Sequence, residues 1–173
     1  MRRIADMLLR SGIIVVFLIL LVCVSWQVVS RYVLGTPSTV TDELARFLFM
    51  WLALVGGAYT YGQGRHLAID LLPTSLNGRT RRLNEVLITL LIAGFALIVM
   101  LWGGLQLVQR TLASGQISPT LRIPMGWVYG AVPLSGAIIA AYAAGNLAVI
   151  ARGGTIFNPP EDIPLPPEPE AKR

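Results

Sequence analysis

The chain has 173 residues, 54% of them hydrophobic and 13% charged, with a mean hydropathy of +0.65. Soluble domains carry about a quarter charged residues, so this composition excludes an ordinary soluble enzyme; its apolar richness also excludes an extended disordered chain. The net charge of +5 comes from arginines set between apolar runs, not from a basic face on a polar domain, and no nucleic-acid partner is expected.

Arg2, Arg3 and Arg10 precede the first charge-free run, Ser11–Ser30. A cleaved signal begins in the same way, but this apolar run is longer and no small-residue cleavage site follows, so a retained helix is predicted. Cys23, the single cysteine, follows Val22, where a lipoprotein anchor needs a small residue, and it makes no internal disulfide.

The second run, Phe47–Gly64, is expected to start earlier, near Thr41. Thr41 would be the N-cap, with Asp42 and Glu43 favoured by the helix dipole. Glu43 and Arg46 lie three apart on one face. They read either as a fixed contact, inside the bundle or to a partner, or as a solvated first turn. Trp51 falls nearer mid-membrane and is expected against protein. Beyond the run, Arg65 reads as a cytoplasmic anchor beside His66 and Asp70, and Arg79, Arg81 and Arg82 read as headgroup contacts, making membrane lipid a partner.

The third run is Val86–Gln109 and the fourth Ile123–Ala151. Pro119, Pro124 and Pro133 shape the preceding loop and the last helix. Pro124 suits a first helical turn, and Pro133 inside the helix should kink it. Residues 158–173 are proline-rich and read as a disordered cytoplasmic tail.

A helix needs about 20 residues to cross the hydrocarbon core. The predicted fold is therefore an all-α integral membrane protein with four transmembrane helices, about 11–30, 43–64, 86–109 and 124–151, in a membrane domain of residues 1–157. Arg2, Arg3, Arg10, Arg65, Arg79, Arg81, Arg82 and Arg152 fall on one side, against Arg31, Arg46, Arg110 and Arg122 on the other. The positive-inside rule then places both termini in the cytoplasm. Trp26, Tyr32, Trp102, Trp127 and Tyr129 fall towards the outer face, as an interfacial belt should.

Proton- or ion-moving membrane proteins need ionisable groups at membrane depth, and the four runs hold none. His66 alone cannot supply paired haem ligands, and no cluster of metal-ligating residues is evident. The segment Gly62-Gln-Gly64-Arg-His66 lacks the Lys and Ser/Thr of a phosphate loop. No catalytic residue, cofactor or metal is expected. The sequence offers packing surface instead: Gly126 and Gly130, extended by Gly136, Ala140 and Ala144, and a second stripe at Gly56, Thr60 and Gly64. Such stripes let helices approach closely. At least one is expected to pack the chain's own helices, and two stripes on different spans favour one face meeting a partner. The alternative is a self-contained oligomeric four-helix exporter, for which Glu43 would have to be the proton-coupling carboxylate; a redox anchor is poorer still.

Two segments carry a family resemblance. One runs from Trp26-Gln-Val-Val-Ser-Arg31-Tyr32 through Thr41-Asp-Glu43-Leu-Ala-Arg46-Phe47 to Gly64-Arg65-His66-Leu-Ala-Ile-Asp70. The other is Ser118-Pro119-Thr-Leu-Arg122-Ile-Pro124-Met-Gly-Trp127-Val-Tyr129, reaching Pro133. Over roughly residues 5–150 the chain resembles the small integral-membrane subunit of a tripartite ATP-independent periplasmic (TRAP) transporter. The resemblance implies a place in the bacterial inner membrane, a large membrane subunit carrying the substrate and sodium sites, and a periplasmic binding protein delivering an organic acid. Uptake would be driven by a sodium gradient, with this chain as scaffold. Arg31, Glu43, Arg46, His66, Asp70, Pro119, Pro124 and Pro133 are the family-like positions and are taken as structural or partner-contact residues, with Trp51 and Arg122 beside them. Arg31, Arg110 and Arg122, facing outwards, read either as docking residues for the binding protein or as headgroup contacts.

Overall fold

The computed structural model describes residues 2–63 and 78–152. Its helices are α1 (Arg2–Tyr32), α2 (Thr39–Gly62), α3 (Gly78–Phe95), a π-helical segment (Ala96–Gly103), α4 (Gly104–Ala113), α5 (Met125–Tyr129) and α6 (Ala131–Ala151). The stretch from α3 to α4 is continuous. Among the described residues, four helical stretches are long and apolar enough to cross a membrane: Ala5–Tyr32, Thr39–Gly62, Leu83–Ala113 and Met125–Ala151.

The first three spans are longer than the charge-free runs, while the fourth starts two residues later, at Met125. Asp6 and Glu85 therefore lie inside the first and third spans, against the expectation that these hold no acids. Thr41 is not the N-cap of α2. Ser38 holds that position in extended conformation (φ −82°, ψ 102°), and the Thr41 hydroxyl donates back to the Ser38 carbonyl at 3.2 Å. Pro124 stands just outside the helix rather than in its first turn. It caps α5 at ψ 122°, and its carbonyl accepts the Trp127 N–H at 3.1 Å. The expected kink at Pro133 takes the form of a break one turn upstream. Proline has no N–H for the carbonyl four residues back and its ring crowds that carbonyl, so the helix interrupts at Gly130, between α5 and α6.

The spans form a row: α1 packs on α2, α2 on α6, and α6 on α3 and the π segment. Buried positions on the third span are Glu85, Thr89, Ala96, Gly104 and Thr111. Their spacings are four, seven, eight and seven; the eight spans the π segment. Two α-turns take about 7.2 residues, so the wider i→i+5 bonding there absorbs the surplus residue and keeps one face on α6. The core is built from small side chains, among them Cys23, Ala45, Ala58, Ala131 and Ala143, while Phe17, Leu21, Leu91 and Ile98 stay exposed. That is the expected inversion for helices in lipid, where close backbone approach rather than apolar burial drives association.

Gly136 is where that approach is tightest. A Cβ there would lie 2.7 Å from Met100 Cβ, 2.9 Å from Leu101 N and 3.0 Å from the Ala96 carbonyl oxygen. Gly126 likewise leaves room for Leu112. The fourth-span stripe thus packs within the chain at these two positions. On α2, by contrast, Gly56 faces open space and Thr60 is exposed, its hydroxyl donating to the Gly56 carbonyl at 2.9 Å.

Candidate functional site

The turns 33–38 and 114–124 lie at one end of the row, and Arg2 and Arg152 at the other. The best-defined polar arrangement is at the turn end. Glu43, in the second turn of α2, is only 6% exposed. Its Oε2 accepts the backbone N–H of Thr120 at 3.0 Å and of Leu121 at 2.8 Å. A buried carboxylate needs such donors, and Pro119, which has no N–H, stands immediately before the two that supply them. The loop is tied further: Ser118 N–H donates to the Ile123 carbonyl at 2.9 Å, Ile123 N–H to Ser118 Oγ at 3.2 Å, and Met125 N–H to the Gln116 carbonyl at 2.9 Å. Within this frame Arg122 is held at φ 53°. That left-handed conformation costs a non-glycine residue about 1–2 kcal/mol. The Arg122 side chain is exposed at the tip.

Glu43 and Arg46 do not act as a pair. Arg46 turns outward and binds Asp42, with side-chain exposures of 73% and 52%. Such an exposed pair contributes about 0–1 kcal/mol. Asp42 and Arg46 form an exposed pair on the first turns of α2, while Glu43 makes its contact inside the bundle, with the 120–121 backbone.

Arg31 is exposed. It lines a groove of about 440 Å3 between the end of α1 and the start of α2, with Gln27, Tyr32, Ser38 and Asp42. The turn beside it is pinned where Gln27 Nε2 donates to the Thr41 carbonyl at 2.8 Å, the Ser30 hydroxyl donates to the Thr36 carbonyl, and Gly35 takes φ +67°. Trp51 is half-buried and floors an apolar groove between α1 and α6. Pro119 is exposed and Pro133 is buried in the first turn of α6. His66 and Asp70, with Arg65 and the proline-rich tail, lie outside the described residues.

A second polar arrangement, at the opposite end, was not anticipated. The Tyr142 hydroxyl of α6 donates to Asp6 of α1, and Gly62 of α2 leaves the space that the Tyr142 ring fills. Tyr61 and Asn146 are joined by a side-chain hydrogen bond. Glu85 and Thr89 are buried on the neighbouring helix at 1% and 4% exposure, with the Thr89 hydroxyl donating to the Glu85 carbonyl at 2.7 Å. The available signal was the four-residue spacing of Tyr142 and Asn146, which sets two hydrogen-bonding side chains on one face of an otherwise apolar run.

Among the described residues no three His, Cys, Asp or Glu side chains converge on one point. What the two polar arrangements do is join helices and fix a loop.

The chain matches the family model for the DctQ component of tripartite ATP-independent periplasmic transporters over residues 1–153. It is similar to the sialic acid TRAP transporter small permease protein SiaQ of Vibrio cholerae, 35% identical over 68% of this chain and 66% of the relative. It is 31% identical to the C4-dicarboxylate TRAP transporter small permease protein DctQ of Rhodobacter capsulatus, over 57% of this chain and 43% of the relative. A third relative, the isethionate TRAP transporter permease protein DctMQ of Oleidesulfovibrio alaskensis, is 25% identical over 72% of this chain but only 20% of its own length. The chain thus spans about two thirds or less of these three relatives. Since the family match runs through all four apolar spans, the chain belongs to the DctQ component family of tripartite ATP-independent periplasmic transporters, as a multi-pass small permease subunit.

Proposed function

We propose that this chain is the fixed membrane scaffold of a TRAP transporter in the bacterial inner membrane. It holds a large, many-helix membrane subunit, which carries out sodium-gradient-driven uptake of an organic acid delivered by a periplasmic binding protein. The observation that carries this reading is the open face of α2. Ala53, Gly57 and Thr60 are exposed there, and no side chain approaches the Cβ positions of Gly56 and Gly57. A small-residue face bare within its own chain suits close approach by another transmembrane helix. The isethionate relative, in which the similar segment is a fifth of a longer polypeptide, supports attachment to a larger permease subunit. The relatives are named for sialic acid, C4-dicarboxylates and isethionate, all organic anions, which supports that substrate class.

The arginine distribution supports cytoplasmic termini, which puts the Glu43-clasped loop in the periplasm. Arg31, Arg110 and Arg122 are exposed at that end and suit an acidic surface on the binding protein. The Glu43 carboxylate, engaged by two backbone N–H groups, is poorly placed to be the proton carrier that the exporter alternative assigns to it. Extraction of the tagged chain from its native membranes in mild detergent tests the reading. A large polytopic protein recovered at near one-to-one is expected; recovery of the chain only as a homo-oligomer contradicts it.

A further inference from the structure

A groove of about 540 Å3 runs between α1 and α6 on the terminal half of the row, floored by Trp51 and Val55 of α2. It is walled by Leu9, Gly12 and Val16 on one side and Ile138 on the other. It continues, through the shared residues Leu9 and Ile138, into a recess of about 380 Å3 that ends at Asp6 and Tyr142. All of these residues belong to spans long and apolar enough to cross a membrane. At such depth a groove is filled by hydrocarbon or by a regular helix, since irregular polar backbone is not tolerated facing lipid.

The charge at the rim favours a lipid. Asp6 lines the recess, and Arg10, exposed, stands one turn from it and one turn from Ile13, which lines the groove. An acid and a base one turn apart match the ammonium and phosphate of a zwitterionic aminophospholipid. From this geometry we infer that the α1–α6 groove is a binding site for one such lipid, its acyl chain over Trp51 and its headgroup between Asp6 and Arg10. The lipid fills the space beside the Asp6–Tyr142 bond that joins α1 to α6.

The test uses the full chain, reconstituted with phosphatidylethanolamine, re-extracted in mild detergent and weighed intact by native mass spectrometry. Nothing lies within 4 Å of a Cβ built at Gly12 or at Gly94, so a side chain can leave the backbone at either position without a clash, and of the two only Gly12 lines the groove. One retained phosphatidylethanolamine per chain is expected, reduced at least fivefold in Gly12→Trp and unchanged in Gly94→Trp. Arg10→Gln should remove the preference for phosphatidylethanolamine over diacylglycerol. No retained lipid in the unsubstituted chain, or equal retention in both tryptophan variants, overturns the site. Cross-linking of Gly12→Cys to a helix of a partner subunit in intact membranes also overturns it, by showing a protein occupant.

Discussion

Replacing Glu43 with alanine should destabilise the protein by about 2–4 kcal/mol. The substitution removes two hydrogen bonds to a charged acceptor, each contributing about 1.5–3 kcal/mol, part of which water recovers at the exposed Thr120. The loss should fall on one region. The 116–125 turn keeps its own bonds but loses its tie to α2, and Arg122 is then free to leave the left-handed region. Glu43→Gln keeps an acceptor oxygen without the charge and should cost about half as much. Asp42→Ala, which breaks the exposed pair with Arg46, should cost no more than about 1 kcal/mol. Unfolding in detergent, with thiol accessibility of Thr120→Cys measured in parallel, separates these outcomes. A Glu43→Ala variant no less stable than Asp42→Ala, with Thr120→Cys no more reactive, contradicts the clasp.

Gly136→Ala should be costly although it adds one methyl group. The atoms that a Cβ would meet are Met100 Cβ at 2.7 Å and two backbone atoms of the π segment, at 2.9 and 3.0 Å. None can swing aside as a side-chain tip would, so α6 and the third span must separate. Overpacking of this kind costs about 1–3 kcal/mol, and Gly136→Leu should prevent folding. Gly145→Ala is the matched control on the same helix. Nothing lies within 4 Å of its Cβ, and alanine exceeds glycine in helix propensity by about 0.8–1 kcal/mol, so that variant should be neutral or stabilised. Thermal unfolding of the two variants in one detergent decides; equal shifts contradict the close approach.

The spans were legible because a helix in lipid tolerates few unpaired charges, so runs without charge mark its course. The same criterion cut the helices short. Asp6 has Tyr142 as donor and Glu85 is buried among neighbouring helices, and charge-free counting excludes acids that the structure accommodates. The buried role of Glu43 was only half legible. Its position in the first turns of a span was plain, but its donors lie 77 and 78 residues away, and no local period encodes that pairing. Pro133 announced a disturbance, which falls one turn upstream at Gly130, where its missing N–H and its ring act. Of the small-residue stripes, the fourth-span one packs within the chain at Gly126 and Gly136. Which one turns inward depended on the order of helices in the row, with Gly136 facing the π segment and Gly56 facing none of its own chain.

Reconstituted uptake tests the scaffold role most directly. Proteoliposomes carrying the large membrane subunit alone, this chain alone, or both together would be given an inward sodium gradient, the binding protein and its labelled organic acid. The scaffold role predicts uptake only when both are present, lost when the gradient is collapsed and reduced by Glu43→Ala. Equal uptake by the large subunit alone, or uptake by this chain alone, would contradict it.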